Sequence, residues 1–359
     1  MLDTLRTILA FVVDIGILIF FHELGHYLAA RSQGVTVETF SVGFGPALLK
    51  FKAKSGTVWQ ISALPLGGYV KMQGWGEETI SGPAKPGSFA AASLGSKAVI
   101  VAAGPLANLL LAVLIYAGLF MTAGQLHTKP VLSQIEAGSP AARSHLLAGD
   151  QVLAIGGTQI RNFSDLQRIV MDHPDTVLDF TVKRGDARLV LPVTVGESSL
   201  DGDKIGHLGV VGTQSTLKRL SPPEAVAAAF RETGRQISGW FSGMATLIVQ
   251  HKGLRDLAGP LGIAEVSGQA AAMGVVPLIS LIALLSINLG LVNLIPIPIL
   301  DGGHLFFYAV EFLIRRPVPE QAREAGLRVG MAIILSLVVL VTFNDLTRLG
   351  AVAWFAHLL

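Results

Sequence analysis

Two histidines and a glutamate stand close together in a stretch otherwise fit for lipid, Phe21-His22-Glu23-Leu24-Gly25-His26. His22 and His26 are four residues apart, so on a helix they share a face, and both imidazoles reach one zinc ion at about 2.0–2.1 Å. Glu23 points toward the same region and suits proton transfer better than ligation, the division of labour of an H-E-x-x-H pattern. On a soluble helix this spacing would be an ordinary solvated stripe. Here it ends an almost unbroken apolar run from Leu5 to Leu28, long enough for a bilayer core that takes about 20 helical residues. Ionisable groups at such depth are costly and are normally kept for a site.

A second polar constellation lies far along the chain, in Asn293-Leu294-Ile295-Pro296-Ile297-Pro298-Ile299-Leu300-Asp301-Gly302-Gly303-His304. Its two prolines interrupt regular hydrogen bonding, which is tolerated at membrane depth only where the backbone is buried in protein or faces water. Four apolar spans are expected, at about Leu5–Ala29, Lys97–Thr122, Val275–Leu291 and Val329–Phe343. Loops of these lengths make successive spans alternate in direction, so spans one and three run the same way. His22 and His26 come late in the first and Asp301 late in the third, at similar depth. His22, His26 and Asp301 are therefore expected to hold one zinc ion with a fourth position open to water, the pattern of a catalytic site. Zinc acidifies its water toward a pKa of about 7, and Glu23 can take that proton and return it to a leaving amine. Asn293 is a weaker candidate, for the substrate backbone or a developing oxyanion. Arg31, Lys50, Lys52, Lys54, Lys71 and Lys97 after span one, and Arg315, Arg316, Arg323 and Arg328 after span three, mark that side as cytoplasmic.

The whole chain agrees with a bilayer as its solvent. Its 359 residues are 51% hydrophobic and 14% charged, with mean hydropathy +0.58, too apolar for an ordinary soluble protein. A net charge of +2 from scattered residues excludes nucleic acid as an expected partner, and the absence of cysteine leaves only histidine and carboxylate for zinc. The apolar N-terminus is read as a retained span, because cleavage near Ala30 would discard both histidines. Asp14, two turns before His22, reads as a carboxylate snorkelling or paired inside the bundle; the alternative is a place on a water or substrate path.

The expected fold is a polytopic α-helical membrane protein of about four transmembrane helices, with a membrane-associated β-hairpin and one inserted PDZ-like α+β domain. Residues 1–30 form the first span and 31–96 the hairpin and a Gly/Ser/Pro-rich loop. In the hairpin, near-alternating stretches at Thr36–Val42 and Val58–Leu64 are punctuated by glycine. Its edge either receives an unwound substrate as an added strand or merely caps the bundle. Residues 97–124 form the second span, with Asn108 a packing or hydrogen-bonding residue, and 125–197 a small soluble-type unit whose Ser139–Gly157 run resembles a PDZ domain. Residues 198–220 are expected as linker and strand. In 221–273, Ser221-Pro222-Pro223-Glu224 opens an interfacial amphipathic helix, followed by a loop. Residues 274–304 carry the third span with its motif, and 305–359 a basic loop, the fourth span and a tail.

On His22-Glu23-Leu24-Gly25-His26, Asn293 through Gly303, the Gly104-Pro105 to Asn108 element and the PDZ-like stretch, the chain resembles the site-2 protease family of intramembrane zinc metalloproteases, in particular the bacterial regulator-of-sigma-E branch. The resemblance covers nearly the whole chain in matching order. It implies zinc ligands at His22, His26 and Asp301 with Glu23 as base, a membrane-reentrant hairpin, an inner-membrane location and a periplasmic PDZ region. It also implies cleavage of single-span proteins already trimmed outside the membrane, such as anti-sigma factors or signal-peptide remnants. One PDZ-like unit stands where the best-known branch carries two, and Asp14 has no counterpart in the family pattern. The competing readings are a PDZ-containing membrane scaffold with a structural zinc site and a metal transporter. Four protein ligands on the metal would mark the first, and zinc flux into vesicles the second.

Overall fold

A computed structural model describes residues 2–75, 85–200, 203–212, 216–250 and 259–348. Residues 76–84 of the expected Gly/Ser/Pro-rich loop, part of the connection after the helix Pro222–Gln250, and the tail from 349 lie outside the described residues. The chain forms two compact units, residues 1–119 with 221–359, and residues 120–220.

The first unit begins with α1 (Leu2–Ser32), whose dipole is complemented by Asp3 in its first turn and Arg31 in its last. Next come β1 (Val37–Lys52) and β2 (Val58–Met72), antiparallel. Both strands bend, so the pair makes four ribbon segments. Residues 58–61 pair with 49–52 on one side and 39–42 on the other, and 39–42 also pairs with 68–71. The bends need glycine. Gly43 has φ 91°, and a Cβ there would fall 2.8 Å from the Leu64 carbonyl oxygen. Leu48, Leu49 and Phe51 are exposed on the outer segment. α2 (Leu94–Thr122) crosses α1 closely enough that a Cβ on Gly25 would lie 2.2 Å from the Ala103 carbonyl oxygen.

The second unit runs β3 (Gln125–His127), β4 (Leu132–Ile135), α3 (Pro140–Arg143), β5 (Gln151–Ile155), β6 (Thr158–Gln159), α4 (Phe163–Met171), β7 (Val177–Arg184), β8 (Ala187–Thr194), β9 (Gly196–Leu200), β10 (Asp203–His207), β11 (Val210–Gly212) and β12 (Thr216–Lys218). A four-stranded antiparallel sheet in the order β6-β5-β7-β8 packs with α4 around Leu132, Val152, Leu166, Phe180 and Val193. Asn162 and Asp165 form a reciprocal capping box at the start of α4. Residues 198–220, expected as linker and strand, are mostly strand where they are described: β11 pairs with β4, β12 pairs with β3, and the β9–β10 hairpin brings Gly206 so near α4 that a Cβ would meet the Val170 carbonyl oxygen at 1.8 Å. The β11–β4 pairing joins residues some 80 apart in sequence, so the local pattern that marks a strand there does not reveal its partner.

The chain returns to the first unit with α5 (Pro222–Gln250), where the Glu224 carboxylate accepts from the Ser221 amide at 3.1 Å and hydroxyl at 2.8 Å. On α5, Ala225, Ala228 and Ala229 are buried while Phe230 and Phe241 are exposed. The loop expected next contains a further helix, α6 (Pro260–Met273), packed on α1 through Gly268 and Thr7. Its first-turn amides, Gly259 and Gly262, donate to Asp345 at 3.1 and 2.9 Å. α7 (Val275–Asn293) and α8 (Asp301–Ile314) flank the proline motif, and α9 (Glu320–Arg348) closes the unit. The stretch expected as basic loop after 304 is thus helical as far as Ile314, where the apolar run from Leu305 continues the turn begun at Asp301. Among the described residues α1, α2, α7 and α9 are long and apolar enough to cross a membrane. Asp14 is fully buried beside Ser267 of α6, so it faces protein rather than lipid.

Candidate metal centre

His22 and His26 project from one face of α1, one turn apart, with their rings edge-to-face at 4.8 Å. Their Nε2 atoms are 3.2 Å apart. The third group comes from a break in regular structure. α7 ends at Asn293, and the chain through the two prolines reaches Ile299, whose φ of 140° is a strained value for a β-branched residue. Asp301 then opens α8 with Gly302 and Gly303 behind it. A Cβ on Gly302 would fall 2.3 Å from the Ile295 carbonyl oxygen, and one on Gly303 2.4 Å from that of Ile297. The glycines therefore let α8 start against the turn, which delivers Asp301 Oδ2 to 3.1 Å from His22 Nε2 and 3.5 Å from His26 Nε2.

The stripe Ile100, Gly104 and Asn108 on α2, spaced by four, is the wall behind the histidines. His26 Nδ1–H donates to the Ile100 carbonyl at 2.9 Å, which leaves Nε2 as the lone-pair nitrogen. Gly104 makes room for the ring; a Cβ there would lie 2.3 Å from His26 Nε2. The Asn108 amide is 3.3 Å from His22 Nδ1, while its Oδ1 is buried without a partner. Turning the amide over presents Oδ1 to His22 Nδ1–H, which satisfies that oxygen and leaves His22 Nε2 unprotonated as well. Asp301 Oδ2 is itself buried with no hydrogen-bond partner.

Three lone-pair atoms thus converge, an arrangement that calls for a cation. Donors of a tetrahedral zinc site stand about 3.3–3.4 Å from one another, and the separations of 3.1, 3.2 and 3.5 Å leave a point nearly equidistant from all three. Two imidazoles and one carboxylate suit zinc in its catalytic form. Glu23, next to His22, is buried at the same level, and a Cβ on Gly68 of β2 would come 2.9 Å from its Cγ, so the ribbon passes directly over it. Asn293 stands half-buried at the end of α7, and the polar contacts of the cluster run to Asn108 instead. Of this wall, Asn108 is the residue the sequence marks for packing or hydrogen bonding; the Ile100 carbonyl and the space at Gly104 have no residue-type signature, and the four-residue spacing from Ile100 to Asn108 is the available clue.

The sequence profile of peptidase family M50 matches residues 10–337. A protein of Agrobacterium fabrum named "Putative zinc metalloprotease Atu1380" is 39% identical, with 95% of this chain and 96% of that protein covered. The zinc metalloprotease RasP of Geobacillus kaustophilus is 30% identical, with 97% and 99% covered. Among solved structures, the PDZ domain of an SdrC-like protein from Listeria monocytogenes, 16% identical, matches 24% of this chain and 90% of its own with a TM-score of 0.22, a likeness too slight to carry an argument. With the profile and these near-full-length relatives in agreement, the chain belongs to peptidase family M50, the site-2 protease family of zinc metalloproteases that its motifs resemble.

Proposed function

We propose that this protease cleaves peptide bonds inside the membrane-spanning segments of single-span proteins, with His22, His26 and Asp301 holding one zinc ion and Glu23 as the general base. The observation that carries the reading is the convergence of three lone-pair atoms at tetrahedral spacing inside an apolar helical unit. Zinc, when bound, supplies Lewis-acid polarisation of the scissile carbonyl and acidifies water. Glu23 takes one proton from the attacking water and passes it to the departing amine, so water adds across the C–N bond without net change in the enzyme. Ile100 and Asn108 hold the two imidazoles with Nε2 forward. Residues 68–72 form the edge of the ribbon beside Glu23, and an unwound substrate is proposed to pair along it as an added strand. Asn293 is proposed, more weakly, to steady the substrate backbone. The substrates proposed are segments already trimmed outside the membrane, such as anti-sigma factors or signal-peptide remnants. The cluster of Lys and Arg after spans one and three supports an active site opening to the cytoplasm, with residues 120–220 on the opposite face of the inner membrane.

The test is Glu23→Gln beside Asp301→Ala, each assayed for zinc content and for cleavage of a membrane-anchored model substrate. Glu23→Gln is expected to keep its zinc and lose cleavage by about 10²–10⁴-fold, whereas Asp301→Ala is expected to lose both. Undiminished cleavage by Glu23→Gln, or a full zinc complement in Asp301→Ala, overturns the assignment.

A further inference from the structure

A cleft of about 650 Å³ opens between the start of α2 and the end of α8, lined by Leu94, Lys97, Phe312, Leu313, Arg315 and Arg316 among others. Its charge is one-sided. The acidic residue on its wall, Glu311, is already matched, accepting from the Val318 amide at 3.0 Å and pairing with Arg323. Arg315 caps α8 in the left-handed conformation, φ 55°, and turns the chain so that Arg315 and Arg316 are both exposed. Neither has an acidic partner among the described residues. Lys97 adds a third cation from the first turn of α2, its ammonium 5.5 Å from the Phe89 ring centre.

The flank of the cleft is apolar and unusually open. Phe312 is 74% and Leu313 77% exposed, in a cleft that sits where α2, a helix fit to span the bilayer, begins. Cations at the mouth of a span with bare aromatic and aliphatic side chains beside them match a molecule with an anionic head and an apolar tail. We propose that this cleft binds an anionic phospholipid, its phosphate held by Arg315, Arg316 and Lys97 and an acyl chain lying along Phe312 and Leu313. The arginines also neutralise the C-terminal end of the α8 dipole. That role alone makes no distinction between lipid headgroups, so headgroup preference is what separates the two. The proposal is independent of the zinc assignment and is read by binding, not by cleavage.

The experiment uses the full chain in neutral detergent and counts retained lipid by native mass spectrometry, offering phosphatidylglycerol, phosphatidylcholine or inorganic phosphate. Phosphatidylglycerol is expected to be retained in preference to phosphatidylcholine. Arg315→Gln with Arg316→Gln is expected to weaken retention roughly thirtyfold, about fivefold per cation, whereas the paired Lys substitutions keep most of it. Equal retention of the two lipids, or undiminished phosphatidylglycerol on the Gln double variant, overturns the site. Displacement of the lipid by inorganic phosphate at comparable concentration overturns the lipid assignment in favour of a free-anion site. If the Gln variant does not fold, a salt series on the unaltered chain decides. Retention falling between about 0.1 and 1 M salt supports the headgroup contact, and a flat response sinks it.

Discussion

Two aspartates with buried carboxylate oxygens, one in each unit, are treated in opposite ways. Asp150 is fully buried, and every requirement of its carboxylate is met. Arg184 donates to both oxygens at 2.7 Å, and the Leu147 amide adds a bond of 2.9 Å. Asp301 also keeps one oxygen buried, yet that oxygen has no hydrogen-bond partner and faces two imidazole nitrogens. A satisfied buried carboxylate holds a fold together. One left facing other lone pairs stores an unmet demand for positive charge, and the chain maintains it with a strained Ile299 and two glycines behind the turn. Neither burial nor a missing partner is the mark by itself, since Asp345 is deeply buried but satisfied by the Gly259 and Gly262 amides and both oxygens of Asp14 are also buried without a hydrogen-bond partner. What sets Asp301 apart is that its unpartnered oxygen faces two imidazole nitrogens.

The contrast breaks most completely if the wall of α2 is filled. In Gly104→Ala the new Cβ would sit 2.3 Å from His26 Nε2. The ring cannot swing aside cheaply, because Nδ1 is held by the Ile100 carbonyl. Overpacking of this kind typically costs about 1–3 kcal/mol, and here the strain falls on a proposed ligand atom. Zinc content and cleavage should both fall by about a hundredfold or more, beyond the range for outer contacts. Normal zinc content in Gly104→Ala would mean that α2 yields and does not set the position of His26.

A smaller change sharpens the same point at His22. Asn108→Leu removes the acceptor proposed for Nδ1–H and should lower zinc affinity about 10–100-fold, while Asn108→Asp, which still accepts, should keep most of it. Zinc titration of the two variants reads the difference. Equal loss in both would show that the amide acts by shape and not by fixing the tautomer.

What the sequence makes legible follows the reach of each signal. The four-residue spacing of His22 and His26 and the alternation of span direction are enough to expect Asp301 beside them, and the three groups do meet. The bends of the ribbon are marked by Gly43, Gly45 and Gly67. In the wall of α2, Asn108 is legible as a hydrogen-bonding residue, whereas the parts of Ile100 and Gly104 are hidden, because one contributes a carbonyl and the other space. α8 is hidden because the ten residues from Leu305 to Ile314, apolar but for Glu311, are too few for a span and lie next to Arg315 and Arg316, which read as loop. In 198–220 a strand is expected but its partner is not, because β11 and β12 pair with β4 and β3, laid down much earlier in the chain.

The gentlest test of the comparison is pH, applied to the satisfied member. Burial alone would push the Asp150 carboxyl up, but the Arg184 guanidinium and the Leu147 amide outweigh it and hold it below the ordinary carboxylate range. A depressed folded value contributes stability that is present above the unfolded pKa, about 3.9, and is lost as pH falls from there through the folded value. Protection factors for hydrogen exchange at β5 and β7 in the full chain, taken against the intrinsic rate at each pH, should therefore stay flat from neutral pH down to about 4 and fall below it. In Arg184→Met the opposing causes are largely removed and burial dominates, so the carboxyl titrates above its unfolded value and the slope reverses. The variant is less protected at neutral pH and regains protection as acid neutralises the stranded carboxylate. If both proteins show the same slope, Asp150 does not depend on Arg184 for its charge, and the distinction between a satisfied and an unsatisfied buried aspartate loses its reference.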